Sequence, residues 1–290
     1  MGWYSITDVN LRRVDARRAA LVALSLGIAG SVGCAPRSGP APSPTLAQHI
    51  PAELRASANR GREILRPDGF LALPKGVRRV WVDVGAHHLE TTKAELRYPD
   101  VAVIAIEPLK EAWSRWPDSD RVIGIPAAIY LERGSMDFHV NALDDTSSLL
   151  ESTGDDRTGA LTKTVEVRKV PVIRLEDVLD AVPDGIPIAY VKTDVQGVDL
   201  QVLQSAGESL RRVERVRSEV TNLGAYKKLD GKGMATENEM KAYLQKMGFE
   251  LVAEDGVQAD RGWLDQIYLN RQRAWVDRLW HDFRFGAVTN

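Results

Sequence analysis

Five short runs dominated by Val, Ile and Ala recur along the chain, at Val80–Val84, Val101–Ile106, Arg121–Ile125, Ile188–Thr193 and Val213–Val220. Between most of them lies enough chain for a helix. A strand that is apolar throughout, rather than at alternate positions, must be buried on both faces, which happens when helices cover a parallel sheet. The pattern therefore predicts an α/β fold of the Rossmann-like kind, with a mostly parallel seven-stranded sheet and helices on both faces.

The intervening stretches supply the helices and the exceptions. Thr91–Tyr98 and Leu109–Trp116 read as helices closed by Pro99 and Pro117, because proline cannot continue a helix. Arg174–Ala181, Leu200–Ala206 and Glu237–Met247 read as further helices. Ser135–Val140 and Thr164–Val172 alternate with period two, as antiparallel or half-exposed strands do. Asp144–Gly159, rich in Ser, Thr, Asp and Gly, reads as a loop. Phe249–Ala253 and Asp265–Leu269 are expected to close the sheet as an antiparallel pair.

Ahead of this domain the sequence has a different character. Arg12, Arg13, Arg17 and Arg18 precede an uncharged stretch from Ala19 to Val32, which ends at Gly33-Cys34. Charged, apolar and small-residue regions in that order are those of a secretory signal, and the apolar part is shorter than the roughly 20 residues of a spanning helix. Cys34 after a small residue is similar to the lipidation site of bacterial lipoproteins, although Ser31 stands where an aliphatic residue is usual. The expected organisation is a leader over 1–34, a Pro/Ser-rich linker over 35–50, a helical lead-in over 51–76, the main domain over 77–270 and an amphipathic helix over 271–290. Such a chain would be membrane-associated through Cys34, or cytoplasmic if the leader is not used as a signal. A formal charge of −2 gives no reason to expect a nucleic-acid partner, and the single cysteine excludes an intramolecular disulfide.

In open α/β sheets ligands bind beyond the carboxyl ends of the strands. The first strand ends in Asp83-Val84-Gly85-Ala86, where a glycine allows a tight turn and close backbone approach. The second ends at Glu107, whose carboxylate can accept hydrogen bonds from both hydroxyls of a ribose. Together they form a nucleoside-cofactor site. A dinucleotide would need further glycines around its pyrophosphate, but His87, His88, Leu89 and Glu90 occupy that turn. S-adenosylmethionine has no phosphate and is cationic at sulfur and amino group, which suits Asp83. The competing reading makes Asp83 a plain helix cap.

These residues resemble the FkbM-type methyltransferases. The resemblance runs from about Val77 to Asn270 through Val82-Asp83-Val84-Gly85-Ala86, Ile104-Ala105-Ile106-Glu107-Pro108, Thr146-Ser147-Ser148-Leu149, Val170–Asp177, Val191-Lys192-Thr193-Asp194-Val195-Gln196-Gly197, Gly248-Phe249-Glu250 and Asp265-Gln266-Ile267-Tyr268. It implies a class I methyltransferase fold and S-adenosylmethionine as cofactor. Asp83, Val84, Gly85, Ala86, His87, Glu107, Pro108, Ala127 and Asp194 would be the cofactor-binding residues. The implied activity is methylation of a hydroxyl on a small molecule, sugar or lipid. Two positions depart from the family: His87-His88-Leu89 follows the cofactor turn in place of Asn-x-Gly, and Gln196 replaces a glutamate.

Asp194, at the end of the central strand, is the expected catalytic base. Lys192, two residues earlier and so on the same face, is its expected companion in lowering an acceptor pKa, or else a plain ion-pair partner. His87 and His88 are alternative bases. With His139 elsewhere they do not form a metal signature, and no metal ligand set is expected. The acceptor is expected between the Asp144–Gly159 loop and the residues after Val220. Trp113 and Trp116 read as helix-face packing. The alternative function is an exported, lipid-anchored binding protein with a degenerate, inactive methyltransferase fold.

Overall fold

The computed structural model describes residues 46–154, 160, 162–221, 224–258 and 263–273. The expected leader, Cys34, residues 35–45 of the linker and most of the C-terminal amphipathic helix lie outside the described residues, as does part of the Asp144–Gly159 loop.

The seven-stranded sheet forms as expected. Its strands are β1 (Arg79–Val84), β2 (Val101–Ile106), β3 (Val122–Ile125), β7 (Ile188–Thr193), β8 (Arg215–Thr221), β9 (Phe249–Gln258) and β10 (Trp263–Asn270), in the order β3-β2-β1-β7-β8-β10-β9. The first five run parallel, and β10 runs antiparallel to both β8 and β9. Strand β2 shows why its sequence is apolar throughout. Ala102, Ile104 and Ile106 point into the larger core, while Val103 and Ala105 pack on the other side with Trp116, Val122 and Leu89. The alternating segment makes a sheet of its own, β4-β6-β5, in which β5 (Gly134–Asn141) pairs antiparallel with β6 (Thr164–Ile173). A two-residue strand, β4 (Ala128–Ile129), which carries no period of its own, adds parallel to β6.

Several helices are shorter than expected. Thr91–Tyr98 is a 3₁₀ segment over Lys93–Arg97, and Leu109–Trp116 is a single α turn, α3 (Lys110–Trp113). Helix α1 (Leu46–His49) falls at the end of the stretch expected as linker, and the lead-in itself is helical only at α2 (Ala52–Ala58), then irregular up to β1. Leu46 and Ile50 are nonetheless buried in the main core. The remaining helices are α4 (Leu175–Ala181), α5 (Asp199–Ser205) and α6 (Glu237–Lys246). Thr236 and Glu239 form a capping box at the start of α6, satisfying two of the backbone N–H groups a helix start leaves free. No described helix is long and apolar enough to cross a membrane.

Candidate cofactor site

From β1 the chain steps outward to β2 and β3, then returns to the other side of β1 as β7. The strand order therefore reverses between β1 and β7, and the crevice beyond their carboxyl ends is where an open sheet can hold a ligand. A small cleft opens there. Val84, Gly85, His87, Glu107 and Pro108 line it from the ends of β1 and β2. Ala127 and Asp194 line it too, with Asp144, Asp145, Ser147 and Gln196. Asp83 and Ala86 do not reach the cleft wall.

Asp83 lies behind the turn, 1% exposed. Thr92 Oγ1 donates to its Oδ2 at 2.6 Å, and Lys192 Nζ stands 3.2 Å from its Oδ1. That lysine also donates to the carbonyl of Gly85 at 3.0 Å and approaches Asp194 Oδ2 at 3.6 Å. Burial works against the charge on Lys192, but the Asp83 and Asp194 carboxylates outweigh it and hold the ammonium above its ordinary pKa. For Asp83 the balance falls the other way: burial raises its pKa despite Lys192 and Thr92. Lys192 is thus a pin that ties β1 to β7 and fixes the Gly85 turn. This is the ion-pair side of the two expectations held for it.

Glycine is required at position 85. Its φ is +73°, and a Cβ there would stand 2.0 Å from the backbone oxygen of Asp194. The two strand ends consequently meet with no side chain between them. The continuation through His87 and Leu89 also keeps positive φ, at +39° and +61°. Buried Leu89 beneath the turn and the indole of Trp116, which donates to the His87 carbonyl at 2.7 Å, hold this costly backbone in place. Trp113 donates to the carbonyl of Glu107 at 3.0 Å. Trp113 ends α3 and packs beside Trp116, which lies beyond the helix rather than on its face as expected, and both brace the loops of the site.

Glu107 accepts from the backbone N–H of His87 at Oε2 and of Leu109 at Oε1, each at 2.9 Å. Each oxygen retains a second lone-pair site for a hydroxyl donor. Burial pushes its carboxyl up to about 7, against these two hydrogen bonds. Because the shift is upward, the associated stability is fully present below the ordinary value of 4.5 and is lost as pH rises through about 7. Hydroxyl donors prefer the ionised form, so affinity for S-adenosylhomocysteine is expected to rise between about pH 6 and 8. Asp199, near the β7 turn, is also pushed up to about 7 by burial. Calorimetric titrations with Glu107→Gln separate the two: the rise is expected to disappear in that variant, and its survival would assign it elsewhere.

Asp194, its side chain 37% exposed, is held by Gln196 Nε2 at 2.8 Å. The same amide donates to Glu219 Oε2 at 3.2 Å, and Gln196 Oε1 accepts from the hydroxyl of Tyr226 at 3.1 Å. Glu219 is itself pushed well above its ordinary pKa by burial and by the neighbouring Asp194 and Asp199. The glutamine amide donates to both carboxyl groups, a role that an ionised glutamate could not fill. The Thr146–Leu149 stretch docks on the same turn, with Ser148 Oγ donating to the Gln196 carbonyl at 2.8 Å and Tyr226 donating to the Thr146 carbonyl at 2.6 Å. Glu219 carried no sequence signal, since only the placement of β8 beside β7 brings it here, while Tyr226 belongs to the stretch after Val220 expected at the site.

A strand-end glycine turn, an acid closing the next strand and a reversal of strand order define a Rossmann-like nucleoside-cofactor fold. The residues fit S-adenosylmethionine: Glu107 is free to take two more hydroxyl donors, Gly85 leaves room beside the backbone, and Asp144, Asp145 and Asp194 give the cleft the sign a sulfonium requires. The methyltransferase FkbM domain model matches residues 83–251, more than half of the sequence. The chain belongs to that family of S-adenosylmethionine-dependent methyltransferases. No curated protein matches the sequence. Solved structures similar to it include the antibiotic-resistance methyltransferase Kmr, at 14% identity over 68% of this chain and 89% of that one, with a TM-score of 0.36. Another is Burkholderia thailandensis 1,6-didemethyltoxoflavin-N1-methyltransferase with bound S-adenosylhomocysteine, at 15% identity, 67% and 72% coverage and a TM-score of 0.33. M. capricolum TrmK in complex with S-adenosylhomocysteine is 9% identical, with 77% and 69% coverage and a TM-score of 0.34. Likeness at this level identifies no substrate.

Proposed function

We propose that this chain methylates a hydroxyl group on a sugar, lipid or natural product, with Asp194 as the base. The observation that carries this reading is the contrast between two carboxylates of the cleft. Glu107 is committed on both oxygens to backbone N–H groups, as a binding residue would be. Asp194, at the end of the central strand beside the Gly85 turn, is more than a third exposed.

The bound cofactor supplies an electrophilic methyl carbon on a sulfonium. Glu107 holds the ribose hydroxyls, and the Gly85 turn lets the backbone approach. Lys192 fixes the turn through the Gly85 carbonyl, so that the two strand ends keep their spacing when an acceptor enters. Asp194 would take the hydroxyl proton of an acceptor, whose oxygen would receive the methyl group that the cofactor supplies, with S-adenosylhomocysteine as the leaving group. Gln196 orients Asp194 and keeps Glu219 from repelling it. Alignment of oxygen, carbon and sulfur supplies much of the acceleration.

Asp194→Asn is expected to lower kcat by roughly 10²–10⁴-fold, the usual contribution of a general base, with a much smaller loss of cofactor affinity from the missing charge. The measurement is methyl transfer from labelled S-adenosylmethionine to a panel of hydroxyl-bearing acceptors. Full activity in the variant would remove Asp194 from this role. A second reading, a fold that binds without transferring, is favoured by His87-His88-Leu89 at the cofactor turn. Cofactor binding by the wild-type chain with no transfer to any acceptor would support it.

A further inference from the structure

The turn that departs from the family carries a side-chain cluster at the edge of the cofactor cleft. His87 Nδ1 and His88 Nδ1 both face one oxygen of Glu90, Oε1, at 3.3 and 3.2 Å. The ligand atoms of the three residues all lie within 4.8 Å of one another. The sequence suggested no ligand set because His139 is remote from the pair, but the third donor is Glu90, three positions after His87.

We propose that His87, His88 and Glu90 form a site for a divalent transition ion of the zinc class at the rim of the cofactor cleft. Zinc bonds of about 2.0–2.1 Å in a tetrahedron set neighbouring ligand atoms about 3.3 Å apart, and two of the three spacings already have that value. Two imidazole nitrogens and one carboxylate oxygen are a donor set suited to zinc, cobalt or nickel rather than magnesium, which prefers oxygen.

The surroundings fit the same assignment. Glu90 Oε2 accepts from the backbone N–H of His88 at 3.2 Å, which turns Oε1 toward the rings. The rings pack against each other with centroids 3.6 Å apart and planes inclined by 36°. His87 Nε2 is 3.3 Å from Asp144 Oδ1, the outer carboxylate that metal-bound histidines commonly have. Its buried Nε2 makes no hydrogen bond. An ion in this place has a coordination position left for water or an acceptor oxygen, whose pKa it would lower. His87 lines the cleft, which puts the ion beside the transfer site.

Ion binding can be measured without cofactor or acceptor. The purified full chain, stripped with a chelator, is titrated calorimetrically with zinc alone and with magnesium alone. Cobalt absorption reports the coordination number. One equivalent of zinc is expected to bind far more tightly than magnesium, and His88→Ala and Glu90→Gln are each expected to weaken it about tenfold or more. Glu90 is exposed, so Glu90→Gln decides the matter should His88→Ala misfold. Zinc affinity unchanged in the variants, or no zinc binding by the wild-type chain, would overturn the site.

Discussion

Gly85→Ala is expected to abolish cofactor binding and to destabilise the fold by roughly 3 kcal/mol, the combined scale of a strained left-handed residue and an overpacked interior. The new methyl group would stand 2.0 Å from the Asp194 carbonyl oxygen, and that oxygen belongs to backbone which cannot rotate aside. Relief requires β1 and β7 to separate at their carboxyl ends, where Asp194 N donates to the Val84 carbonyl at 3.1 Å and Lys192 spans the two strands. The loss should appear as a lower urea midpoint together with the disappearance of S-adenosylhomocysteine binding. A variant with wild-type stability and affinity would mean that the two strand ends are not in contact as described.

The second large effect belongs to the buried pair. Lys192→Met should cost about 3–5 kcal/mol, because it leaves Asp83 buried with Thr92 as its remaining partner. Replacing both members, Asp83→Asn with Lys192→Met, should cost much less than the sum of the single changes, since no unpaired charge remains. Urea unfolding of the four proteins completes the cycle. Strict additivity would show that the two groups do not depend on each other. It would also leave Lys192 free for the acceptor-activating role that the sequence allowed.

The contrast between β1 and Lys192 shows what could be read from sequence. Strands β1, β2 and β7 were legible because burial on both faces leaves a nearly continuous apolar run, broken in β1 by Asp83 and in β7 by Lys192. Asp83, Glu107 and Asp194 were legible as acids at strand ends. Their division of labour was not. Asp83 and Lys192 are neighbours across strands 109 positions apart in sequence, by a parallel register that no local pattern encodes. The resulting ion pair turns Asp83 from an expected cofactor contact into a support behind the turn. Helix α3 fell short of its expected span because Trp116 is drawn down beneath the His87 turn rather than along a helix face. The zinc-class site was hidden for a related reason: adjacent histidines converge on one atom only when positive φ at His87 and Leu89 folds the turn back on itself.

The central claim, that the crevice between β1, β2 and β7 holds S-adenosylmethionine, is tested most directly by calorimetry of the purified full chain with S-adenosylmethionine and S-adenosylhomocysteine. One equivalent of each is expected to bind, with affinity sharply reduced by Glu107→Ala. No heat at millimolar ligand, or binding that Glu107→Ala leaves unchanged, would contradict it.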